Sequence, residues 1–335
     1  MTSEMEQLQE KIILFKKNIK DYTSSNYDEY NTRADFIDVL FSALGWDMYN
    51  RQGVIEQFRE VIREDKVIIQ GRKKAPDYAF RIGPQIVFYV EAKKPSLHIK
   101  NNPEPAYQLR RYAHSKGLEL SILTNFAEIA VYDTRIIPNA DDQAYHTRIF
   151  YCTYDQLFGK CKNNRYTTNF DFLLKTFGKN AVLNGSFNAY ANERKGAKGT
   201  TSVDEGFLRL LNSWREKLAI AIALKNNELD EYNLNIAVQK IIDSLVFLRI
   251  AEDRLIEEQN YLLNESLKPD IYHSLINIFR KADQKYNSGL FDYPEWLSRL
   301  VIEDKPLKEI IDGMYFPCPY EFSVLPIEII GNAYE

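Results

Sequence analysis

Ala75-Pro76-Asp77-Tyr78, followed by Ile86-Val87-Phe88-Tyr89-Val90-Glu91-Ala92-Lys93-Lys94-Pro95, is the stretch that decides how this chain folds. Both runs have strand composition, and Gly83-Pro84 between them is a turn signal. Each run carries an acid at its working end. Side chains in a strand alternate faces, so Glu91 and Lys93 share one face while Phe88, Val90 and Ala92 occupy the other, packed one. Two carboxylates and a lysine on one face can hold a divalent cation and direct a water at a phosphodiester. Mg²⁺ takes oxygen ligands and keeps several of its waters, so Asp77 and Glu91 suffice, with the Ala92 carbonyl as a further oxygen. A bound metal lowers the pKa of its water and stabilises charge on the phosphate. Lys93 is placed to orient or help deprotonate that water and to offset phosphate charge.

Working outward, residues 4–21 read as an amphipathic helix with Leu8, Ile12, Phe15 and Ile19 at helical spacing. Asn31 is the expected cap of a second helix through Trp46, with Phe36, Ile37, Leu40, Phe41 and Leu44 as its buried stripe and Gly45 as its stop. Strands are expected at 58–62, 66–70, 77–82 and 86–93. Pro103 and Pro105 open a helix to Ser115. Strands follow at 118–124 and 128–133, an edge strand at 148–153, and helix over 154–177. The Gly-, Asn-, Ser- and Lys-rich stretch 183–203 reads as an interdomain linker. Beyond it the period is helical, as in Phe207, Leu210, Leu211, Trp214 and Leu218. The expected organisation is an α/β domain over 1–182 around a mixed central sheet, a linker over 183–203 and an all-α domain over 204–335.

The 335 residues are enough for two domains with real cores, and 27% charged against 45% hydrophobic is a globular mixture. The first residues lack a basic segment followed by an apolar one, so no signal peptide is expected, and the apolar run 218–224 is too short to span a bilayer. Cys152, Cys161 and Cys318 have no metal-ligand spacing, and the four histidines form no H-E-x-x-H pattern. Reduced thiols and a cytoplasmic location are expected. The net charge of −4 hides an asymmetry: residues 59–116 hold 13 Lys+Arg and 6 Asp+Glu, a local +7. A basic stretch around paired acids suits a phosphate backbone approaching a metal. A solvated basic face without a partner is the plain alternative.

The spacing P-D-x(13)-E-x-K resembles that of the PD-(D/E)XK nucleases. The resemblance implies a restriction-endonuclease-like α/β (α+β) domain with Asp77, Glu91 and Lys93 catalytic. It also implies Mg²⁺, or Mn²⁺ in its place, held by Asp77, Glu91 and the Ala92 carbonyl. Gln108 and Tyr112 lie i,i+4 on the following helix and look like the Q-x-x-x-Y element of some branches. Lys94, Arg110 and Arg111 are then candidate DNA phosphate contacts. Thr32-Arg33-Ala34-Asp35-Phe36-Ile37 with Leu44-Gly45-Trp46-Asp47 is similar to the first helix of restriction endonuclease subunits. A Glu there often adds an acid to the metal site; Asp35 holds that position, one methylene shorter, and Asp38 is the alternative.

In the second half, Phe247-Leu248-Arg249-Ile250-Ala251-Glu252-Asp253-Arg254, 285–291 and 325–335 look like the helical connector of type IIG restriction-modification proteins. That resemblance implies the amino-terminal cleavage module of a longer parent protein. Double-stranded DNA is the implied substrate, fused methyltransferase and target-recognition domains the implied partners, and no membrane is involved. Dimerisation would serve double-strand cleavage. S-adenosylmethionine enters only through a methyltransferase domain that this chain lacks: there is no N-P-P-Y-like tetrapeptide and no Gly-rich cofactor loop, nor a G-x-x-x-x-G-K-[ST] motor signature. Two other readings stand beside it. One is a non-catalytic DNA-binding or docking module, distinguished by metal calorimetry. The other is a stand-alone repair nuclease, distinguished by its activity on branched and single-stranded substrates.

Overall fold

The structure is a computed structural model that describes residues 2–63, 76–193 and 203–326. The strand expected at 66–70 lies outside these. The chain divides into two compact units, Met1–Ser202 and Val203–Glu335.

The first unit is built on a six-stranded mixed sheet in sequence order: β1 (Val61–Arg63), β2 (Tyr78–Ile82), β3 (Gln85–Ala92), β4 (Leu120–Thr124), β5 (Glu128–Asp133) and β6 (Arg148–Thr153). Every neighbouring pair is antiparallel except β3 and β4. A parallel pair needs a crossover, and the Pro103–Ser115 helix supplies it, packing on both strands with Leu109 and Ala113 fully buried. Pro103 stands in its first turn, and the Asn102 side chain accepts the Glu104 N–H.

One face of the sheet carries Phe80, Phe88, Val90, Ile122 and Val131 into a core with Phe36, Leu40, Phe41, Trp46 and Phe177. The rings interlock: Phe80 and Phe88 stack at 4.6 Å, and Trp46 meets Phe80 edge-on at 5.1 Å. The other face holds the row Glu91, Leu123, Ala130 and Tyr151, paired across β3, β4, β5 and β6.

Three local expectations differ from the structure. The second helix is capped by Asp28, whose side chain accepts the Asn31 N–H at 2.8 Å, so it starts at Glu29, one turn earlier than a cap at Asn31 requires. It passes through a π turn at Arg33–Ile37 before continuing to Ala43. Gly45, at φ +92°, turns the chain away where the sequence placed the stop. Residues 154–177 are not one helix: a single 3₁₀ turn, Tyr154–Gln156, precedes irregular chain, and the helix begins at Asn169 under the Thr168 cap. The stretch 183–203 is not all linker. Ser186–Glu193 is a helix whose Phe187 and Ala191, at i,i+4, are buried in the sheet's own core. Arg135 donates to the Ala191 carbonyl at 2.8 Å.

The second unit has only helices among its described residues, chiefly Val203–Lys225, Glu231–Asp253, Ile271–Tyr286 and Asp304–Asp312. Its core includes Phe207, Trp214, Leu218, Ile242, Leu245 and Phe279. The Arg249/Glu252/Asp253 segment is buried and internally paired. Arg249 Nη1 lies 2.6 Å from Asp253 and 3.5 Å from Glu252, and its guanidinium sits 4.3 Å over the Tyr315 ring. Tyr315 Oη–H and the Leu262 N–H donate to Glu252. That segment therefore knits the unit together from within. Among the described residues no helix is long and apolar enough to cross a membrane.

Candidate active site

The site forms where β2 begins and β3 ends. Because the two strands run antiparallel with Tyr78 opposite Val90, Asp77 falls beside Glu91 and Ala92. Asp77 is fully buried. Its Oδ2 accepts the Ala92 N–H at 2.7 Å, and its Oδ1 lies 3.0 Å from Arg33 Nη1. Glu91 is also fully buried, and its Oε1 is hydrogen-bonded by Lys93 Nζ. Lys93, 15% exposed at its side chain, stands at the mouth and reaches Glu29 Oε2 at 4.0 Å. Burial by itself pushes the Lys93 ammonium down. The Glu91 and Glu29 carboxylates, with Asp77 behind them, more than reverse this, so its pKa lies above that of a free lysine. Ala92 turns its methyl into the opposite core.

The helix from Glu29 contributes more than the sequence suggested, and through different residues. Glu29 and Arg33 are one turn apart and face the acids, one toward Lys93 and the other onto Asp77. Asp35 is turned elsewhere, and its Oδ2 accepts the Tyr27 hydroxyl at 2.7 Å. Asp38 is buried and bound by Tyr78 Oη at 2.8 Å and Arg63 Nη2 at 2.7 Å. Burial raises its pKa against the pull of Arg63. The missed signal was the Asp28 cap, which starts the helix early enough to include Glu29.

Gln108 and Tyr112 sit on the helix that packs over β3 and β4, half-buried and buried respectively. Lys94 is exposed and Arg111 half-buried. Arg110 corrects the expectation of a phosphate contact. It is 1% exposed, and its Nη1 is bonded to Asp142 Oδ2 at 2.7 Å, so it cannot reach a ligand at the surface. The basic count of the stretch overstates its field for the same reason. Arg59, Arg63, Lys93 and Arg110 are each paired with a carboxylate. Four further cations, Lys66 and Arg72 to Lys74, lie outside the described residues.

The donor set suits a hard divalent cation, since it offers carboxylate oxygens and neither thiolate nor imidazole. Asp77, Glu91 and Glu29 against Arg33 and Lys93 leave one net negative charge. Among the described residues no group of three or more His, Cys, Asp or Glu is already assembled as a metal cage. A cation entering here must therefore compete with Lys93 for Glu91 and with Arg33 for Asp77.

No family model matches the chain, and no solved structure matches it. Among curated proteins, a relative in Escherichia coli described as "Type II restriction enzyme and methyltransferase RM.Eco57I" is 37% identical over 334 residues. The match takes in 98% of this chain and 32% of the relative, so the chain spans about a third of that protein's length. Over nearly its whole length, then, this chain is similar to one region of a restriction-modification enzyme that also carries a methyltransferase.

Proposed function

We propose that this chain is the DNA-cleaving module of a type IIG restriction-modification enzyme, a Mg²⁺-dependent endonuclease with a restriction-endonuclease-like fold. The observation that carries the reading is the pair of fully buried carboxylates, Asp77 and Glu91, fixed side by side on antiparallel strands with Lys93 at their mouth. Burying two acids is costly unless something cationic repays it; Arg33 and Lys93 do so here, and a metal between the acids would do so in their place. Asp77, Glu91 and the Ala92 carbonyl would hold Mg²⁺, which when bound supplies an acidified water and charge neutralisation on the phosphate. Lys93, paired with Glu91, carries its proton. It donates a hydrogen bond to the attacking water or to a phosphate oxygen and offsets the charge that develops there. Arg33 holds Asp77 in place. Lys94 and Arg111 are left as candidate phosphate contacts. Double-stranded DNA is the substrate. Methylation and target reading belong to domains of a longer parent protein, and S-adenosylmethionine enters there.

Crystals soaked in Mn²⁺ test this. An anomalous peak is expected between the Asp77 and Glu91 carboxylates, together with duplex cleavage by the complete protein that EDTA abolishes. A peak elsewhere, or cleavage that survives EDTA, overturns the reading.

The helix supplies a second check. Glu29→Gln removes the carboxylate that steadies Lys93 and is expected to slow cleavage about 10- to 100-fold, the range found for groups that orient a metal site's ligands. Asp35→Asn is expected to leave the rate nearly unchanged. Single-turnover cleavage rates of the two variants decide it, and the reverse ranking would return the role to Asp35.

A further inference from the structure

A second basic feature lies across the sheet from the acids. A cleft of about 540 Å³ runs along β6, the edge strand, lined by Lys100, Arg148, Lys162, Tyr151, Asn163 and Asn169 among others. The described residues that line it include three cations and no carboxylate. Lys100 and Arg148 are held over the same ring: the ammonium is 5.5 Å and the guanidinium 5.0 Å from the centre of Tyr151. Two like charges this close to one ring repel each other, and an anion bound beside them relieves that repulsion. Lys162 also lines the cleft and is exposed.

The arrangement is built rather than incidental. The segment after Lys93 is fastened at three successive points on its way to the edge. Asn125 Nδ2 donates to the Leu97 carbonyl at 2.7 Å, the Ile99 N–H donates to Glu128 Oε2 at 2.8 Å, and Arg148 Nη1 donates to the Lys100 carbonyl at 2.7 Å. Glu128 also accepts the Tyr151 hydroxyl at 2.5 Å, so one buried carboxylate positions both the segment and the ring. Tyr151 belongs to the same cross-strand row as Glu91, three strands away. At the usual strand spacing that is about 14 Å on the same face. A strand of nucleic acid whose phosphodiester sits at the acids would therefore reach this edge within a few phosphates.

We propose that this edge cleft is a phosphate-backbone subsite, in which Lys100, Arg148 and Lys162 hold the nucleic-acid strand a few nucleotides from the phosphodiester at Asp77 and Glu91. The proposal rests on the reading of the chain as a DNA-cleaving module and adds the path that the strand takes over the sheet. The contacts are with phosphates, so the subsite is indifferent to sequence.

The test is fluorescence anisotropy with a 30-base-pair duplex at several salt concentrations in EDTA, comparing the parent protein with Lys100→Gln/Lys162→Gln. Each lost phosphate contact lowers the slope of log affinity against log salt by about 0.9. The double variant is therefore expected to lose close to two units of slope and to bind at least tenfold more weakly at low salt, with Mn²⁺ binding at Asp77 and Glu91 unchanged. Lys162→Glu, altering an exposed side chain, is expected to weaken binding in the same direction and guards against a folding defect in the double variant. Parental affinity and slope in both variants, with the parent still binding and cleaving duplex, would overturn the edge subsite alone. A parent protein that does not bind duplex would overturn it together with the nuclease reading.

Discussion

Lys93→Ala is expected to abolish DNA cleavage by the complete protein while leaving DNA affinity close to that of the parent. The lysine stands at the mouth of the acid pair with Glu91 on one side and Glu29 on the other. Its charge is already engaged by Glu91 and Glu29, so its removal is expected to change ground-state phosphate binding little. Its place beside the two acids is where, on the proposed reading, negative charge would grow as a phosphodiester is attacked. A contact made mainly in the transition state affects turnover without a matching loss of binding. Removing one such donor commonly costs about 10²- to 10³-fold in rate. The same substitution frees Glu91 from its intramolecular cation. Mn²⁺ is then expected to bind the DNA-free variant more tightly than the parent, which calorimetry measures directly. Cleavage at the parental rate would sink the assignment of Lys93, and weaker Mn²⁺ binding would show that the ammonium does not compete for the site.

The second large effect concerns stability. Asp142→Ala is expected to destabilise the first unit by about 3–5 kcal/mol, because it strands the buried Arg110 guanidinium without its counter-charge. Arg110 Nε and Nη2 have no partner among the described residues as it is, so nothing nearby takes over when the Asp142 carboxylate goes. The Asn139 N–H and the His146 ring lose their acceptor at the same time. For a unit of about two hundred residues this corresponds to a fall in melting temperature on the order of 10 °C. Differential scanning calorimetry reads it, with Lys94→Gln as an exposed control. A change below about 1 kcal/mol would mean that water reaches Arg110 and the pair is not buried in solution.

Much of the sheet was legible because its signals are local. Edge strand 148–153 and strand 128–133 alternate or run apolar between turn residues, and the Pro103–Ser115 helix has its punctuation written at both ends. What was not legible depended on competition between neighbours. Asp28 and Asn31 are both good caps three residues apart, and only packing selects the earlier one; with it comes Glu29 in place of Asp35. The 183–203 stretch has linker composition, yet two apolar residues at helical spacing, Phe187 and Ala191, are enough to pin Ser186–Glu193 to the core. Arg110 shows the limit of counting charges. A positive residue in a basic run reads as surface until its partner, 32 residues later in the chain, is seen against it. Asp77, Glu91 and Lys93 were readable as a group because β2, β3 and the turn between them fix their relation within a short stretch of sequence.

The hydrogen bond from the Ala92 N–H to Asp77 has a consequence for how fixed the acids are. Asp77 is tied to the backbone of the strand that carries Glu91, so the spacing of the two carboxylates is set when β2 and β3 pair and varies only as much as that ladder does. The loss of conformational freedom needed to bring two acids together is met during folding, not when a substrate arrives. Lys93, at the rim, is placed by its ion pairs with Glu91 and Glu29 rather than by the backbone ladder. The site thus has a floor fixed by the strand ladder and a rim fixed by side-chain ion pairs, and the sheet's register serves as its ruler.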